Sequence, residues 1–262
     1  LAHIDVVFNA VHGEYGEAGQ GQRVLDHFAV PYTGSGVLAS SLGMNKVLSK
    51  KIFRDHGLKV AHSIVISNAN SLEIIALEIF RSFPLPAVVK PIACGSSVGV
   101  SLVQTLNELV SGLATAFRYG SEAMVEEYIS GKEATCGVVD HFRGHEVYAL
   151  LPIEIRKPVT SDFFDYEAKY GGKSEEICPG NFSVSEKSAI QEAAVKAHKA
   201  LGLRHYSRSD FIVSSRRGVY ILESNTLPGL TAESLLPKSL YAIGCTIPDF
   251  LDHLLTLALG RE

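Results

Sequence analysis

The chain has 262 residues, 46% hydrophobic and 20% charged, so it can bury the core of one large or two ordinary globular domains. Its formal net charge is -4 and no run of Lys or Arg stands out, which argues against nucleic acid or an anionic membrane as partner and favours a small-molecule substrate. Four widely spaced cysteines argue against a zinc site or a disulfide framework. No apolar stretch approaches the roughly 20 residues of a membrane helix and no export signal is visible, so we expect a soluble, cytoplasmic protein.

The first predicted elements suggest that the chain begins within a domain. Residues 4–9 are apolar and predict a buried strand, and an apolar stripe at 24–28 predicts a helix. The Pro- and Gly-rich residues 30–36 end that helix, and we place a domain boundary there. Apolar positions at helical spacing across 44–52 predict the next helix, with Gly57 as its C-cap.

The rest of the chain mixes strands and helices without strict alternation. Thr105 with Glu108, and Ser183 with Glu186, form capping boxes that predict two helix starts. The β-rich runs are residues 62–66, 87–90, 124–127, 134–139, 146–153, 209–213 and 219–222. This mixture predicts an α+β fold and not a doubly wound parallel sheet.

Two β-rich segments late in the chain predict a hairpin with paired carboxylates. With the turn centred at 216–217, Asp210 lies opposite Glu223. In the same register Arg208 lies opposite Asn225, and the strand period of two puts all four side chains on one face. Facing carboxylates favour a cation between them, and an all-oxygen set suits Mg²⁺ bridging substrate phosphates. A solvated face with ordinary ion pairs is an equally good explanation of this feature alone.

Three further segments are candidates for ligand binding. Lys90 precedes a run of small residues whose backbone N–H groups could cradle phosphate, although a Lys ahead of the glycines excludes a Walker A loop. Residues 12–19 crowd glycines, a His and a carboxylate directly after the first predicted strand, where ligands often meet backbone. Residues 160–179 are polar, aromatic and uncapped, as in lids or disordered loops. Taken singly, each of the three is also explained as a structural turn or surface loop.

Taken in chain order, six strings resemble the D-alanine:D-alanine ligase family of the ATP-grasp superfamily. They are His12-Gly13...Gly16-Glu17, Tyr32-Thr33-Gly34-Ser35-Gly36, Lys90-Pro91...Gly95-Ser96-Ser97-Val98-Gly99, Asp165-Tyr166-Glu167-Ala168-Lys169-Tyr170, Arg208-Ser209-Asp210 and Glu223-Ser224-Asn225-Thr226-Leu227-Pro228-Gly229-Leu230-Thr231. The resemblance implies an α+β ATP-grasp fold in which two β-rich lobes sandwich ATP, preceded by a remnant of an α/β N-terminal domain. The implied divisions are residues 1–36 for the end of the substrate-binding domain, 37–125 for the central lobe and 126–262 for the catalytic lobe.

The resemblance also assigns roles to individual residues in an ATP-dependent joining of two D-alanine molecules through an acyl phosphate. ATP would be bound by Lys46, Lys90, Glu126, Tyr128, Ile129, Glu133 and Lys169. Mg²⁺, which Mn²⁺ can replace, would be held by Asp210, Glu223 and Asn225. The substrates would contact His12, Ser234 and Leu235. The catalytic set would be Arg208 and Gly229, which stabilise the tetrahedral intermediate, and Ser96 and Tyr170, which fasten a lid that excludes water.

This chain also departs from the family pattern. It has no counterpart of the family's first strand, glycine loop and Glu for the first ammonium group, and it carries Cys94 and Ser224 where Glu and Ala or Val are commoner. One alternative is a D-alanine:D-lactate, D-alanine:D-serine or other carboxylate–amine ligase, with a Tyr at position 170 favouring an amine nucleophile. Another is a nucleotide-binding fragment without turnover. The resemblance further suggests a homodimer.

Overall fold

A computed structural model of the chain describes residues 3–67, 71–92, 98–156 and 174–260. The predicted site residues Ser96, Lys169 and Tyr170 lie outside these ranges. The chain forms two compact units: unit 1 comprises Leu1–Val60, Gly131–Ile155 and Glu176–Glu262, and unit 2 comprises Ala61–Ser130 and Arg156–Glu175. The divisions at residues 36 and 125 stay predictions. Within the described ranges, no helix has the length and apolar character required to cross a membrane.

The helices are α1 Glu14–Glu17, α2 Gln20–His27, α3 Val37–Met44, α4 Lys46–Asp55, α5 Leu72–Ser82, α6 Leu106–Ala116, α7 Val184–Ala200, α8 Leu235–Ala242 and α9 Ile247–Ala258. The strands are β1 Ser63–Ser67, β2 Ala87–Pro91, β3 Ser101–Val103, β4 Glu122–Glu127, β5 Lys132–Asp140, β6 Val147–Ala149, β7 Ile153–Arg156, β8 Glu175–Ile177, β9 Tyr206–Ser214 and β10 Gly218–Asn225. Helices and antiparallel strands are thus mixed, and the predicted α+β class is confirmed.

Unit 2 is built on a four-stranded antiparallel sheet in the order β1-β4-β2-β3. Alternate residues of β2 are buried, among them Val89, whereas β4 is buried at four consecutive residues that include Val125. They pack with Leu109 and Leu113 of α6 into one apolar core that also takes in α5. The predicted capping box is present at the start of α6, where the Thr105 hydroxyl accepts a hydrogen bond from the backbone N–H of Glu108.

We expect Thr105→Ala to lower the free energy of unfolding of unit 2 by about 1 kcal/mol, because it removes the cap of α6. Thr115→Ala is the matched control in the same helix. The Thr115 hydroxyl donates to the Ser111 carbonyl inside the helix, so its loss should cost nothing or stabilise slightly. Urea unfolding of both variants measures the difference, and equal midpoints would contradict the role of the cap.

Unit 1 is built on a sheet in the order β10-β9-β5-β7-β8, with β6 also paired to β5. The two faces of β5 serve different purposes. Ala134, Cys136 and Val138 point into a core with α7, β9 and β10. Gly137 points the other way, where a Cβ would lie 2.5 Å from Leu236 of α8. This glycine therefore lets the helix pack closely on the sheet.

The β9–β10 hairpin contains an irregularity next to the predicted carboxylate pair. Near the turn, Ser214 pairs with Gly218 and Phe211 with Ile221. The register then shifts by one residue, Leu222, so that Glu223 pairs with Asp210. Such a bulge adds one residue to a strand, and the residues paired on either side of it still point to the same face of the sheet as their partners. Both carboxylates consequently remain on the face opposite the core.

Three details of the predicted elements are wrong. Residues 4–9 do not form a buried strand: Ile4 is 44% exposed, and Val7 makes only an isolated bridge to Tyr32. The run 146–153 is interrupted by residues 150–152, which separate β6 from β7. The helix predicted across 44–52 starts at Lys46, because the Asn45 side chain accepts from the N–H groups of Val47 and Leu48 and caps α4. In this third case a side-chain cap overrides the apolar pattern.

The half-buried His205 lies just before β9. His205 Nδ1 accepts a hydrogen bond from Gly34 N, and burial first, then the Arg204 charge, lowers the pKa of His205 from 6.5 to about 4, although the Asp140 charge opposes this. The unfolded chain thus binds more protons between these pH values. The contribution of His205 to stability is full above pH 6.5 and is lost as pH falls towards about 4.

We therefore expect the free energy of unfolding to fall on acidification from pH 6.5 to about 4, and the slope to be smaller in His205→Asn. Asn tolerates the left-handed backbone of this position, whose φ is 67°. Urea titrations at several pH values provide the measurement. His141→Asn is the matched control, since His141 is exposed and also left-handed, with φ of 48°; an unchanged slope in His205→Asn would contradict the assignment.

Candidate active site

The predicted carboxylate pair on the β9–β10 hairpin is surrounded by cations and donors. Arg208 lies two residues before Asp210 on the same face, and its Nε and Nη2 each donate to one carboxylate oxygen at 3.1 Å. Thr135 of β5 is paired with Asp210, and its hydroxyl donates to Oδ1 at 2.6 Å. Asp210 is thereby fixed in orientation by groups from two strands.

Glu223 and Asn225 complete this face of the hairpin. Lys46, the first residue of α4, places its Nζ 3.7 Å from Oε2 of Glu223. Asn225 pairs with Arg208 across the hairpin, and its Oδ1 accepts from the N–H of Leu227 at 2.9 Å. On the opposite, buried face the hydroxyls of Ser209 and Ser224 are 2.7 Å apart. The structure thus brings together five of the predicted residues: Lys46, Arg208, Asp210, Glu223 and Asn225.

The electrostatics of this group keep Arg208 charged. Burial acts to lower the pKa of its guanidinium, but the charge and hydrogen bonds of Asp210, followed by the charges of Glu223 and Glu176, raise it above its ordinary value. Arg208 is therefore a permanent cation with its planar fork fixed beside two carboxylates. Such a group can stabilise negative charge that develops nearby.

The carboxylate and amide oxygens on this face of the hairpin are of the type that a hard divalent cation prefers. Asp210 and Glu223 face each other directly, and Asn225 adds a carbonyl oxygen that retains a second lone pair after its bond to Leu227. Across the part of the chain that the structure describes, no group of three or more His, Cys, Asp or Glu side chains could hold a metal on its own. Two carboxylates and an amide match a Mg²⁺ ion that takes its remaining ligands from phosphates and water.

A second group of predicted residues lies at the start of α8. A Cβ on Gly229 would approach Ser234 Oγ to 2.7 Å and His12 Cε1 to 4.0 Å, so these three predicted positions are neighbours. Ser234 is the N-cap residue of α8 and Leu235 its first residue. The Ser234 hydroxyl lies 2.8 Å from the hydroxyl of Thr231 and makes no capping bond. The first N–H groups of α8 thus remain available to a ligand.

The predicted nucleotide contacts of unit 2 lie on β2, on β4 and just after β4. Lys90 and Glu126 form a buried ion pair, with side chains only 11% and 5% exposed. Tyr128 is 41% exposed and donates its backbone N–H to the Pro86 carbonyl, whereas Ile129 is buried. Glu133 lies on β5 in unit 1, paired with Ile155 and Ile212.

Three contributing residues are absent from the predicted site. Glu17 accepts from Gly13 N at 2.7 Å and lies 3.9 Å from His12 Nδ1, so it shapes the turn that carries His12. Thr135 and Thr231 hydrogen-bond Asp210 and Ser234. Glu17 and Thr231 belong to two of the six strings that resemble the ligase family, and that membership could have indicated a place in the site. Nothing in the local sequence around Thr135 indicates that it faces Asp210.

Comparison with known proteins agrees with this arrangement. The family described as "D-ala D-ala ligase C-terminus" matches residues 52–256. The D-alanine--D-alanine ligase of Desulfotalea psychrophila is 42% identical across 100% of this chain and 80% of its own length. Among solved structures, the D-alanine--D-alanine ligase of Bacillus anthracis complexed with ATP has a TM-score of 0.81 and 35% identity over 99% of this chain and 80% of that one. VanG D-Ala:D-Ser ligase of Enterococcus faecalis has a TM-score of 0.86 and 33% identity over 97% and 73%.

The similar structures show which class of fold this chain has. The antiparallel sheets of the two units, and the hairpin that carries opposed carboxylates, are those of the ATP-grasp fold. Within that class, the chain belongs to the D-alanine--D-alanine ligase family.

Proposed function

We propose that this chain joins two D-alanine molecules into D-alanyl-D-alanine for peptidoglycan precursor synthesis, with ATP converted to ADP and phosphate through D-alanyl phosphate. The observation that carries the proposal is the register of the β9–β10 hairpin, which sets Asp210 against Glu223 with Arg208 and Lys46 beside them. Family membership and the D-alanine--D-alanine ligases among its relatives supply the substrate.

The carboxylate group is the proposed place of Mg²⁺. Asp210, Glu223 and Asn225 would hold the ion, which Mn²⁺ could replace, and when bound it would neutralise phosphate charge. Lys46 would contribute a second positive charge for the phosphates. The residues proposed for the nucleotide in unit 2 are Lys90, Glu126, Tyr128 and Ile129, and Glu133 in unit 1 is proposed for the ribose.

The group at the start of α8 is the proposed place of the amino-acid substrates. A carboxylate would be stabilised by the helix dipole at the start of α8 and by the N–H group of Leu235. His12 and Arg208 supply polar groups for the first substrate and for the developing oxyanion, and the backbone N–H of Gly229 adds a second donor. Ser96, Lys169 and Tyr170 remain the proposed lid residues.

Product analysis with Mg·ATP and D-alanine tests the proposal. Phosphate release should depend on D-alanine, mass spectrometry should find the dipeptide, and L-alanine should not replace D-alanine. Nucleotide binding without dipeptide would overturn the proposal in favour of a binding fragment.

A D-alanine:D-serine ligase is the second candidate, favoured by the likeness to VanG D-Ala:D-Ser ligase. Competition between equal concentrations of D-alanine, D-serine and D-lactate as acceptors distinguishes the two. A predominant D-alanyl-D-serine product would replace the first proposal, and a depsipeptide product would argue that the Tyr at position 170 does not select an amine.

We further propose a cytoplasmic enzyme that acts as a homodimer, on the strength of the family resemblance. Light scattering of the purified chain tests the assembly. A mass near that of one 28.3 kDa chain would overturn the homodimer and leave the ligase proposal unaffected.

A further inference from the structure

Two consecutive residues before β9 hold both polar groups of one glycine in the 32–36 loop. His205 Nδ1 accepts from Gly34 N at 3.0 Å, and Arg204 Nε donates to the Gly34 carbonyl at 2.7 Å. The Arg204 guanidinium also lies over the Tyr32 ring, 4.6 Å from its centroid. The backbone N–H of Arg204 donates to the Ser35 hydroxyl at 3.3 Å. We call this pair the Arg204–His205 clamp.

The clamp is itself held rigidly to the sheet of unit 1. The backbone N–H of His205 donates to Asp140 Oδ2, at the end of β5. His198 of α7 places Nε2 3.0 Å from the other oxygen of Asp140, and its Nδ1 lies 2.7 Å from the Ser207 hydroxyl on β9. His253 of α9 reaches the Asp140 carbonyl at 2.8 Å. Two strands and two helices thus fix the position of His205, three residues before Arg208.

The other side of the 32–36 loop leads to His12. Thr33 N donates to the Val7 carbonyl at 3.0 Å, and the Thr33 hydroxyl accepts from Asn9 N at 3.0 Å. The Asn9 side chain then accepts from Val11 N at 3.3 Å and donates to the Gly16 carbonyl at 3.4 Å. A continuous series of hydrogen bonds therefore runs from His205 through Gly34 and its neighbour Thr33 to the turn that carries His12.

We propose that Arg204 and His205 are positioning residues for the ligation, which hold the His12 turn in place relative to Arg208 and Gly229 without contacting substrate. The inference rests on the proposed function for its kinetic readout. Its structural basis is independent, because the bonds from both side chains to Gly34 are observed in the structure itself.

The chemistry of the clamp requires a neutral imidazole. Because Gly34 N donates to it, Nδ1 must carry a lone pair, which places the ring proton on Nε2. The backbone at His205 is left-handed, with φ of 67°, and the side chains of Arg204 and His205 both reach Gly34. His205→Gly retains this backbone and removes the acceptor, and Arg204→Met retains aliphatic bulk but removes the donor.

Loss of the clamp should appear as a change in KM and not as general failure. In His205→Gly and in Arg204→Met we expect KM for D-alanine to rise about tenfold, because misplacement by a fraction of an ångström at a substrate contact is costly. The dissociation constant for Mg·ADP should stay within about twofold, since its proposed ligands do not contact Gly34. The double variant should be little worse than either single one, because both side chains hold one peptide.

Hydrogen exchange gives a second readout that needs no turnover. Peptides covering residues 7–17 should exchange faster in both clamp variants and not in the controls. His141→Gly is the control for a left-handed histidine, and Arg216→Met is the control for an exposed arginine. Faster exchange with a raised KM supports the clamp. An unchanged KM with only a lower unfolding midpoint, unchanged exchange, or a parallel loss of Mg·ADP binding would overturn it. A chain that forms no dipeptide overturns the proposed function, and the exchange result alone then decides the clamp.

Discussion

Glu223→Gln should reduce kcat/KM for Mg·ATP by about a hundredfold or more. Glu223 supplies half of the charge of the carboxylate pair and lies 3.7 Å from Lys46 Nζ, so the amide removes that charge from the proposed metal site together with an ion pair. Metal-ion stabilisation of phosphoryl charge is worth several kcal/mol, and each 1.36 kcal/mol is tenfold in rate. Initial rates measured over a series of Mg²⁺ concentrations should show partial recovery at the highest concentrations.

Glu146→Gln is the matched control for this variant. Glu146 is 75% exposed and forms a surface ion pair with Lys199, which contributes little. Mn²⁺ binding followed by electron paramagnetic resonance provides a readout other than turnover. Unaltered Mn²⁺ affinity together with unaltered kinetics in Glu223→Gln would remove Glu223 from the metal site.

Arg208→Met should lower kcat by about 10²- to 10³-fold, the range found when a donor to an oxyanion is removed. The guanidinium makes two bonds to Asp210 at 3.1 Å, and its pKa is raised above the ordinary value, so the charge is always present. Arg208→Lys keeps a charge but not the planar fork and should recover only part of the rate. Steady-state kinetics with saturating Mg·ATP and D-alanine provide the comparison.

Stability must be measured in the same variants, because Arg208→Met removes two charge-assisted hydrogen bonds to Asp210. We expect the free energy of unfolding to fall by about 1.5–3 kcal/mol, as for other hydrogen bonds to charged groups. Arg216→Met, in the exposed turn of the hairpin, should change neither quantity. If Arg208→Met retained the kcat of the unaltered chain while folded, Arg208 would be a structural partner of Asp210 and nothing more.

The residue pairs of the β9–β10 hairpin could be predicted from the sequence only in part. The pairs Asp210 with Glu223 and Arg208 with Asn225 were predicted correctly from a turn centred at 216–217. Nearer the turn the same register is wrong by one residue, since Phe211 pairs with Ile221 and not with Leu222. A bulge leaves no simple mark in the alternation of apolar residues, so only the coordinates reveal it.

Capping boxes were predicted more securely than strands at the start of the chain. Thr105 with Glu108 and Ser183 with Glu186 are confirmed, because each motif is a local hydrogen-bonding pattern of four residues. Residues 4–9 have the composition of a strand, but strand formation depends on partners distant in sequence, and Val7 has only a bridge to Tyr32. For the same reason, the contact of Thr135 with Asp210 could not be predicted.

Gly137 offers a route to altered acceptor specificity that leaves the substrate contacts themselves untouched. A methyl group at this position would press on Leu236 Cδ1 and on Leu150 Cδ1, which a Cβ would approach to 2.5 and 2.8 Å. Leu236 lies two residues after Ser234, so its side chain would have to shift at the end of α8 that is proposed to hold the second substrate. In laboratory evolution of this ligase, substitutions beneath α8 would therefore change the position of the proposed acceptor site while the residues that contact substrate stay the same.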